Sequence, residues 1–462
     1  MSSSDLHQVE RPGMLSPGML KAVVKAFVVV LALAAVSVSS GCSGGPSLPK
    51  FKDLNPFKKK KQRLSGTRIP IMAPEPKLAG ELASAAKPIS LPAAHTNIAW
   101  TQPGGVADNA PGHLALKPVV RVAFRAGAGS GSSKYGRLLA SPIVYDGQVY
   151  TLDAEGHVTA FSLSGKRIWR KSLTPANEKP YEGFGGGLAA DEGRIYAATG
   201  FGIAYALDPK SGKQIWQAKV GVPVRSSPTA ADGRLYLVGA DGRFFCLSGN
   251  DGSQIWGFRG LPQNSRILSN VSPAVAGDSV IVPYPSGEIV ALRKDTGQAL
   301  WTESLTRSSR VSNLAAMSDP GRPVIVNGVL YAVGHAGRMI ATRVKTGERL
   351  WSIDVPGIQT PWVAGDSVFV VNTAGDLLAI DINNGQIRWQ VRLPGSRQWS
   401  GPVLAGNKLW VVSNKGKLVS VEAATGRIAT TQNLGARVYI APVVASGRMY
   451  VLADDAKLIV LQ

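Results

Sequence analysis

From residue 119 to the C-terminus the chain consists of short apolar runs, about five residues each, broken by turn residues. Residues 355–390 show the unit clearly. Thr360-Pro-Trp-Val363 opens it, Gly365-Asp366 turns, and Ser367-Val-Phe-Val-Val371 is an apolar strand. Thr373-Ala-Gly375 turns again before Asp376-Leu-Leu-Ala-Ile380. Asn383-Asn-Gly385 then leads into Gln386-Ile-Arg-Trp-Gln-Val391. Asn-Gly between apolar runs is a hairpin signal. Four short strands joined by tight turns predict one four-stranded antiparallel blade.

The unit repeats. Gly165, Gly212, Gly252, Gly297, Gly347 and Gly385 are each followed four residues later by a tryptophan: Trp169, Trp216, Trp256, Trp301, Trp351 and Trp389. A seventh copy keeps Gly426 and has Thr430 in the aromatic position. The steps between these glycines are 47, 40, 45, 50, 38 and 41 residues. Such a period belongs to solenoids, propellers and arrays. A residue-proline pair opens most copies, as in Ser141-Pro142, Ser227-Pro228, Ser272-Pro273 and Gly401-Pro402. Proline is tolerated at the first residue of a strand and not inside a central ladder. Tryptophans at this spacing on a strand are most simply packing residues between blades.

Seven glycine copies give seven blades. Beyond them, Tyr439–Val444, Arg448–Leu452 and Lys457–Leu461 supply three more strands. The missing fourth is the run Val119–Phe124, with Phe124 where other blades have Trp. The expected fold is all-β: an eight-bladed β-propeller of four-stranded antiparallel blades over residues 96–462, closed by an N-terminal strand in the last blade. Such closure pairs the free edges.

The first 95 residues follow a different pattern. Lys21 and Lys25 precede the apolar run Ala26–Val36, and Ser37-Val-Ser-Ser-Gly41 leads to Cys42. This is the layout of a secretory signal, and the run is too short to span a bilayer. Cys42 after small residues resembles a lipoprotein lipobox, with Ser39 where that pattern usually has Leu. Two readings stay open: acylation of Cys42 after removal of residues 1–41, or a plain signal peptide followed by a free cysteine. Acylation would give an anchored protein. Residues 42–95 are rich in Pro, Ser, Ala and Lys without periodicity, which reads as a flexible tether. Its Lys58–Lys61 cluster suits either an anionic lipid surface or a solvated linker.

The net charge of +21 in general suggests nucleic acid or an anionic membrane as partner. Residues 1–95 carry 13 Lys and Arg against 5 Asp and Glu, so much of the excess sits outside the repeats. The remainder reads as a solvated propeller surface, and no nucleic-acid partner is expected. The two cysteines, Cys42 and Cys246, make no disulfide framework. Cys246 lies between Phe245 and Leu247 on a β run and is expected to be buried and inert. The five histidines lack metal-ligand spacing. Gly127-Ala-Gly-Ser-Gly131 has the composition of a phosphate loop without its Lys-Ser/Thr or a following helix. Asp208 and Asp381 read as turn formers. Neither a catalytic residue, a cofactor nor a metal is assigned.

The stretch Ala206-Leu-Asp-Pro-Lys-Ser-Gly-Lys-Gln-Ile-Trp216 resembles the pyrroloquinoline-quinone-type propeller repeat, which is specific for fold and not for activity. The quinoprotein dehydrogenases share that repeat, but the adjacent cysteines and cation cluster they carry have no counterpart in this sequence. Together with the leader, the tether, Gly186-Gly-Leu-Ala189, Ala315-Ala-Met-Ser-Asp319 and Gln359–Asp366, the repeats resemble the BamB family of the outer-membrane β-barrel assembly machinery. The resemblance implies a non-enzymatic scaffold facing the periplasm from the outer membrane. Its implied partners are the periplasmic domains of BamA, other subunits of the complex, unfolded β-barrel clients and the membrane through a lipid anchor. It also implies two partner-binding loops. One maps onto Ser265–Ser269, with Arg266, Ile267 and Leu268. The other maps onto Ser318 and Asp319, where the second Asp of the family pattern is replaced within Pro320-Gly321-Arg322. The alternatives are a periplasmic quinoprotein oxidoreductase and a ligand-binding sensor propeller.

Overall fold

A computed structural model of the chain describes residues 88–260, 271–306 and 320–462. Among these residues, thirty-two strands form eight four-stranded sheets, as the repeats predict. The first strand, β1 (Val122–Gly127), belongs to the last blade. Blade 1 runs from its inner to its outer strand as β2 (Ile143–Tyr145), β3 (Gln148–Leu152), β4 (His157–Ser162) and β5 (Arg167–Ser172). Blades 2 to 7 repeat this order. Blade 8 takes β30 (Val443–Ala445), β31 (Arg448–Leu452) and β32 (Lys457–Leu461) from the C-terminus and β1 as its outer strand. Phe124 pairs with Val460 there, so the ring closes as the sequence indicates.

The turns between the first two strands of each blade set the register. Asp146 and Gly147 both have positive φ, 46° and 69°, the geometry of a two-residue hairpin whose twist matches its strands. Asp232-Gly233, Asn327-Gly328 and Ser446-Gly447 repeat it.

Inside each blade one cross-strand row explains the recurrent tryptophan. In blade 2, Tyr196 pairs with Ala206, and Ala206 with Trp216. The small central residue lets the two rings meet over it, with centroids 5.9 Å apart. Tyr150-Ala160-Trp169, Tyr331-Ala341-Trp351 and Phe369-Ala379-Trp389 are the same row. In blade 3 the central residue is Cys246, between Tyr236 and Trp256. It is fully buried, and desolvation pushes its thiol up to about 12. The expectation of a buried cysteine therefore holds, at the position that alanine takes in the equivalent row of blades 1, 2, 5 and 6.

Between blades the same tryptophan does a second job. The indole N–H of Trp216 donates to the Gly249 carbonyl of blade 3 at 2.9 Å. Its ring covers Gly252, where a Cβ would come within 2.7 Å of it. Trp169, Trp256, Trp301, Trp351 and Trp389 each donate to a turn carbonyl of the following blade in the same way. The carboxylate of Asp208 in one such turn accepts from both the amide and the hydroxyl of Ser211. That hydroxyl above all, with the amide, holds it below the usual carboxylate range.

Residues 88–118 form an extended strap that circles the central channel. The N–H of Val144 in blade 1 donates to the Trp100 carbonyl, and that of Ala190 in blade 2 to Thr101. Ala230 in blade 3 donates to Gln102 Oε1. Val275 in blade 4 and Ile325 in blade 5 donate to the Ala107 and Asp108 carbonyls. In blade 6 the indole of Trp362 donates to Gly112. Leu114 pairs with Leu404 and Gly406 of blade 7, and the Asn97 amide donates to Val444 of blade 8. The strap thus bonds to every blade in a single circuit of the ring.

Candidate partner-binding face

The strap lies at the end of the channel that carries the first hairpin turns. The inner strands begin toward the opposite end. There a cavity of about 640 Å³ opens, floored by Trp100, Pro103 and Gly104 of the strap. Ser141, Thr360, Ser400 and Pro442, each at the start of an inner strand, line its upper wall. Trp100 and Trp362 stack beneath it with centroids 6.4 Å apart.

The charge of this wall is unbalanced. Among the described residues, Arg137, Arg322 and Arg397 line it, with His335 and a single carboxylate, Asp454. Burial lowers the Arg322 guanidinium to about 10, which still leaves it a cation at neutral pH. Arg225 lies in the segment leading to the inner strand of blade 3 and stacks on Phe184, 4.8 Å from the ring centre. These arginines come from segments that approach inner strands, where the blade repeat places no packing demand. Loop residues carried by a rigid scaffold commonly carry binding function.

The partner-binding residues expected from the sequence, Arg266, Ile267, Leu268, Ser318 and Asp319, lie outside the described residues, and so does Cys42. The described residues that flank them are well fixed. The Val271 carbonyl accepts from Ser227 N–H at 3.1 Å, and Val271 lines the cavity. Pro320 bridges to Gly334, and Gly321 N–H donates to the Val333 carbonyl at 2.9 Å. Arg322 follows directly and also lines the cavity. Val271 and Arg322, which lead into adjacent blades 4 and 5, therefore stand at the same cavity. Sequence reasoning gave the cavity no place, because its arginines follow no period and its floor comes from residues remote in sequence. Among the described residues, no group of three or more His, Cys, Asp or Glu is placed to hold a metal ion.

A family model described as outer membrane protein assembly factor BamB matches residues 154–391 and 389–462. The chain belongs to the BamB family. The outer membrane protein assembly factor BamB of Salmonella typhimurium is 30% identical over 233 residues, 49% of this chain and 59% of that protein. Its counterpart in Moranella endobia is 26% identical over 221 residues, 46% of this chain and 57% of that one. The chain thus spans a little over half the length of these curated relatives. Among solved structures, BamB from Moraxella catarrhalis superposes with a TM-score of 0.64 at 19% identity, covering 74% of this chain and 100% of that one. The quinohemoprotein alcohol dehydrogenase of Comamonas testosteroni superposes with a TM-score of 0.61 at 15% identity, covering 80% and 81%. At such identities the likeness is one of fold. It places BamB proteins and quinoprotein dehydrogenases on one architecture and does not choose between their activities.

Proposed function

We propose that this BamB-family propeller is a non-enzymatic scaffold of the outer-membrane β-barrel assembly complex. It docks on the periplasmic domains of BamA and assists the folding and insertion of β-barrel proteins. The observation that carries the reading is the family match over both the middle and the C-terminal blades. In this reading Cys42 is acylated and the chain between it and the strap tethers the propeller to the outer membrane. The partner meets Arg266, Ile267 and Leu268 before blade 4, and Ser318 and Asp319 before blade 5. The described ends of both segments support this, since they stand in neighbouring blades at one end of the channel. An arginine and two aliphatic side chains beside an acid make a suitable hot spot with a polar rim.

A pull-down with BamA's periplasmic domains tests the reading. The full chain is expected to be retained, and the double variant Arg266→Ala, Asp319→Ala to lose most of that retention. Undiminished capture of the double variant would overturn the site assignment, and no capture of the parent chain would overturn the partner.

A further inference from the structure

We propose that residues 88–118 act as one releasable clasp on the propeller, whose bonds to the eight blades open together. The ground is a regularity that the blade repeat does not require. Val144, Ala190, Ala230, Val275 and Ile325 occupy one equivalent position, the middle rung of the inner hairpin, as their partners Val149, Ile195, Leu235, Val280 and Leu330 show. Each of the five turns its amide toward the strap. Leu404 and Val444 hold the same position in blades 7 and 8, and there the carbonyl is used instead. Only blade 6 departs, using the indole of the neighbouring Trp362.

The inner strand of a propeller blade has one edge without a strand partner. Buried main-chain groups on such an edge need a partner, and the strap supplies it at the same rung around the ring. Part of the strap faces solvent, with Ile98 77% exposed, and its internal hydrogen bonds lie in short turns such as Gln102–Gly105 and in the crossing of its two ends. Gln102 is the strongest fastening. Its amide donates to the carbonyls of Ala190 and Ala230 at 3.1 and 2.7 Å while its oxygen accepts from Ala230.

Cooperative release follows from chain entropy. Freeing one rung while both neighbours stay bonded recovers little freedom, because the ends of that short loop remain pinned. The strap's two ends also cross. His95 N–H donates to the His113 carbonyl and Ala115 N–H to the His95 carbonyl. His113, itself buried, reaches the Pro92 carbonyl through Nδ1 at 2.7 Å, and its Nε2 accepts from Asn407 N–H of blade 7 at 3.0 Å. This crossing closes the strap on itself, so that opening requires the overlap to part.

Hydrogen exchange on the full chain, read by mass spectrometry over peptides containing Val144, Ala190, Ala230, Val275 and Ile325, tests the clasp. Gln102→Ala removes three bonds and is expected to speed exchange roughly tenfold or more at all five amides. The decisive peptides are those of Val144, Val275 and Ile325, whose blades Gln102 does not bond. Exchange in the middle strands of the same blades should stay at its parent rate. Acceleration confined to Ala190 and Ala230 would show independent local contacts and overturn the proposal. Equal acceleration of the middle strands would show general unfolding and overturn it too. Should Gln102→Ala fail to fold, Asn109→Ala gives the same reading from the other side, because it removes one bond to the Pro323 carbonyl of blade 5. Faster exchange at Val144 in that variant supports the clasp, and a change limited to blade 5 rejects it.

Discussion

Two kinds of seam hold the ring together. From blade 1 to blade 7, six junctions use one part: a tryptophan covers a glycine of the next blade and donates to a carbonyl in its turn. The two junctions of blade 8 do not. Between blades 8 and 1, Phe124 covers Gly165 without an N–H to donate. Between blades 7 and 8 the repeated tryptophan is replaced by Thr430, whose hydroxyl hydrogen-bonds to Ser420 of its own blade. The reason is covalent. The tryptophan needs the turn between the third and fourth strands of the following blade, and blade 8 has no such turn. Its third strand, β32, pairs with β1, which comes from before blade 1 in the sequence, so no turn joins the two. Other contacts fill this seam. Gln432 Nε2 donates to the Val120 carbonyl and Arg125 to that of Leu434. The strap crosses the same seam on the channel side through His95 and Asn97. Where the repeated part has nowhere to land, the termini supply the contacts.

The sharpest way to break a regular seam is Trp216→Ala. The variant loses a buried aromatic side chain and leaves the Gly249 carbonyl without its donor, so a loss of about 3–5 kcal/mol in urea unfolding is expected. A loss under about 1 kcal/mol would show that the blades are joined elsewhere. Phe124→Ala probes the terminal seam. It gives up ring burial alone, so its cost should fall about 1 kcal/mol below that of Trp216→Ala. Limited proteolysis of this variant should cut first near β1, whereas Trp216→Ala should not shift the first cut there. Equal cleavage patterns would erase the distinction between the seams.

Much of this arrangement is legible in the sequence, because it rests on local signals. The glycine-tryptophan spacing marks the outer strands, and the pairing of Phe124 with Val460 follows from counting strands. The loss at Thr430 is visible there too, but its cause is not, since it depends on blade 8 drawing its fourth strand from β1. The strap is illegible for a different reason. Gln102 and Asn109 follow neither the period of a strand nor that of a helix, and they bond carbonyls more than eighty residues away. The cavity arginines share that difficulty. Arg322 stands out in sequence only as a neighbour of the second expected loop. For the partner-binding residues themselves, the sequence offers family resemblance, and no packing pattern singles them out.

Gly252→Ala attacks a regular seam from its other side. Its φ of 77° disfavours any side chain, and the added Cβ would press on the Trp216 ring. The ring can yield slightly by shifting over Ala206, so a cost of about 1–3 kcal/mol is expected, below that of removing the ring. Combined with Trp216→Ala, the alanine should lose its steric cost and keep only the backbone strain. The double variant should therefore be more stable than the sum of the two single losses implies. Simple additivity would mean that the glycine and the ring are not one part.

The smallest effect should come from trying to repair the irregular seam. Thr430→Trp restores the repeated residue in blade 7, but its partner is absent. Neither a glycine nor a turn carbonyl stands in blade 8 to receive the indole, and the Thr430–Ser420 hydrogen bond at 2.6 Å is lost. The ring would lie against Ser420, which already fills the slot beside Trp410. Unfolding should therefore shift by no more than about 1 kcal/mol, and toward lower stability. A gain comparable to the loss in Trp216→Ala would contradict the account, because the tryptophan would then be stabilising within its own blade without the glycine of the next. A result near zero would place the energy of the motif where the geometry puts it, in the contact between blades.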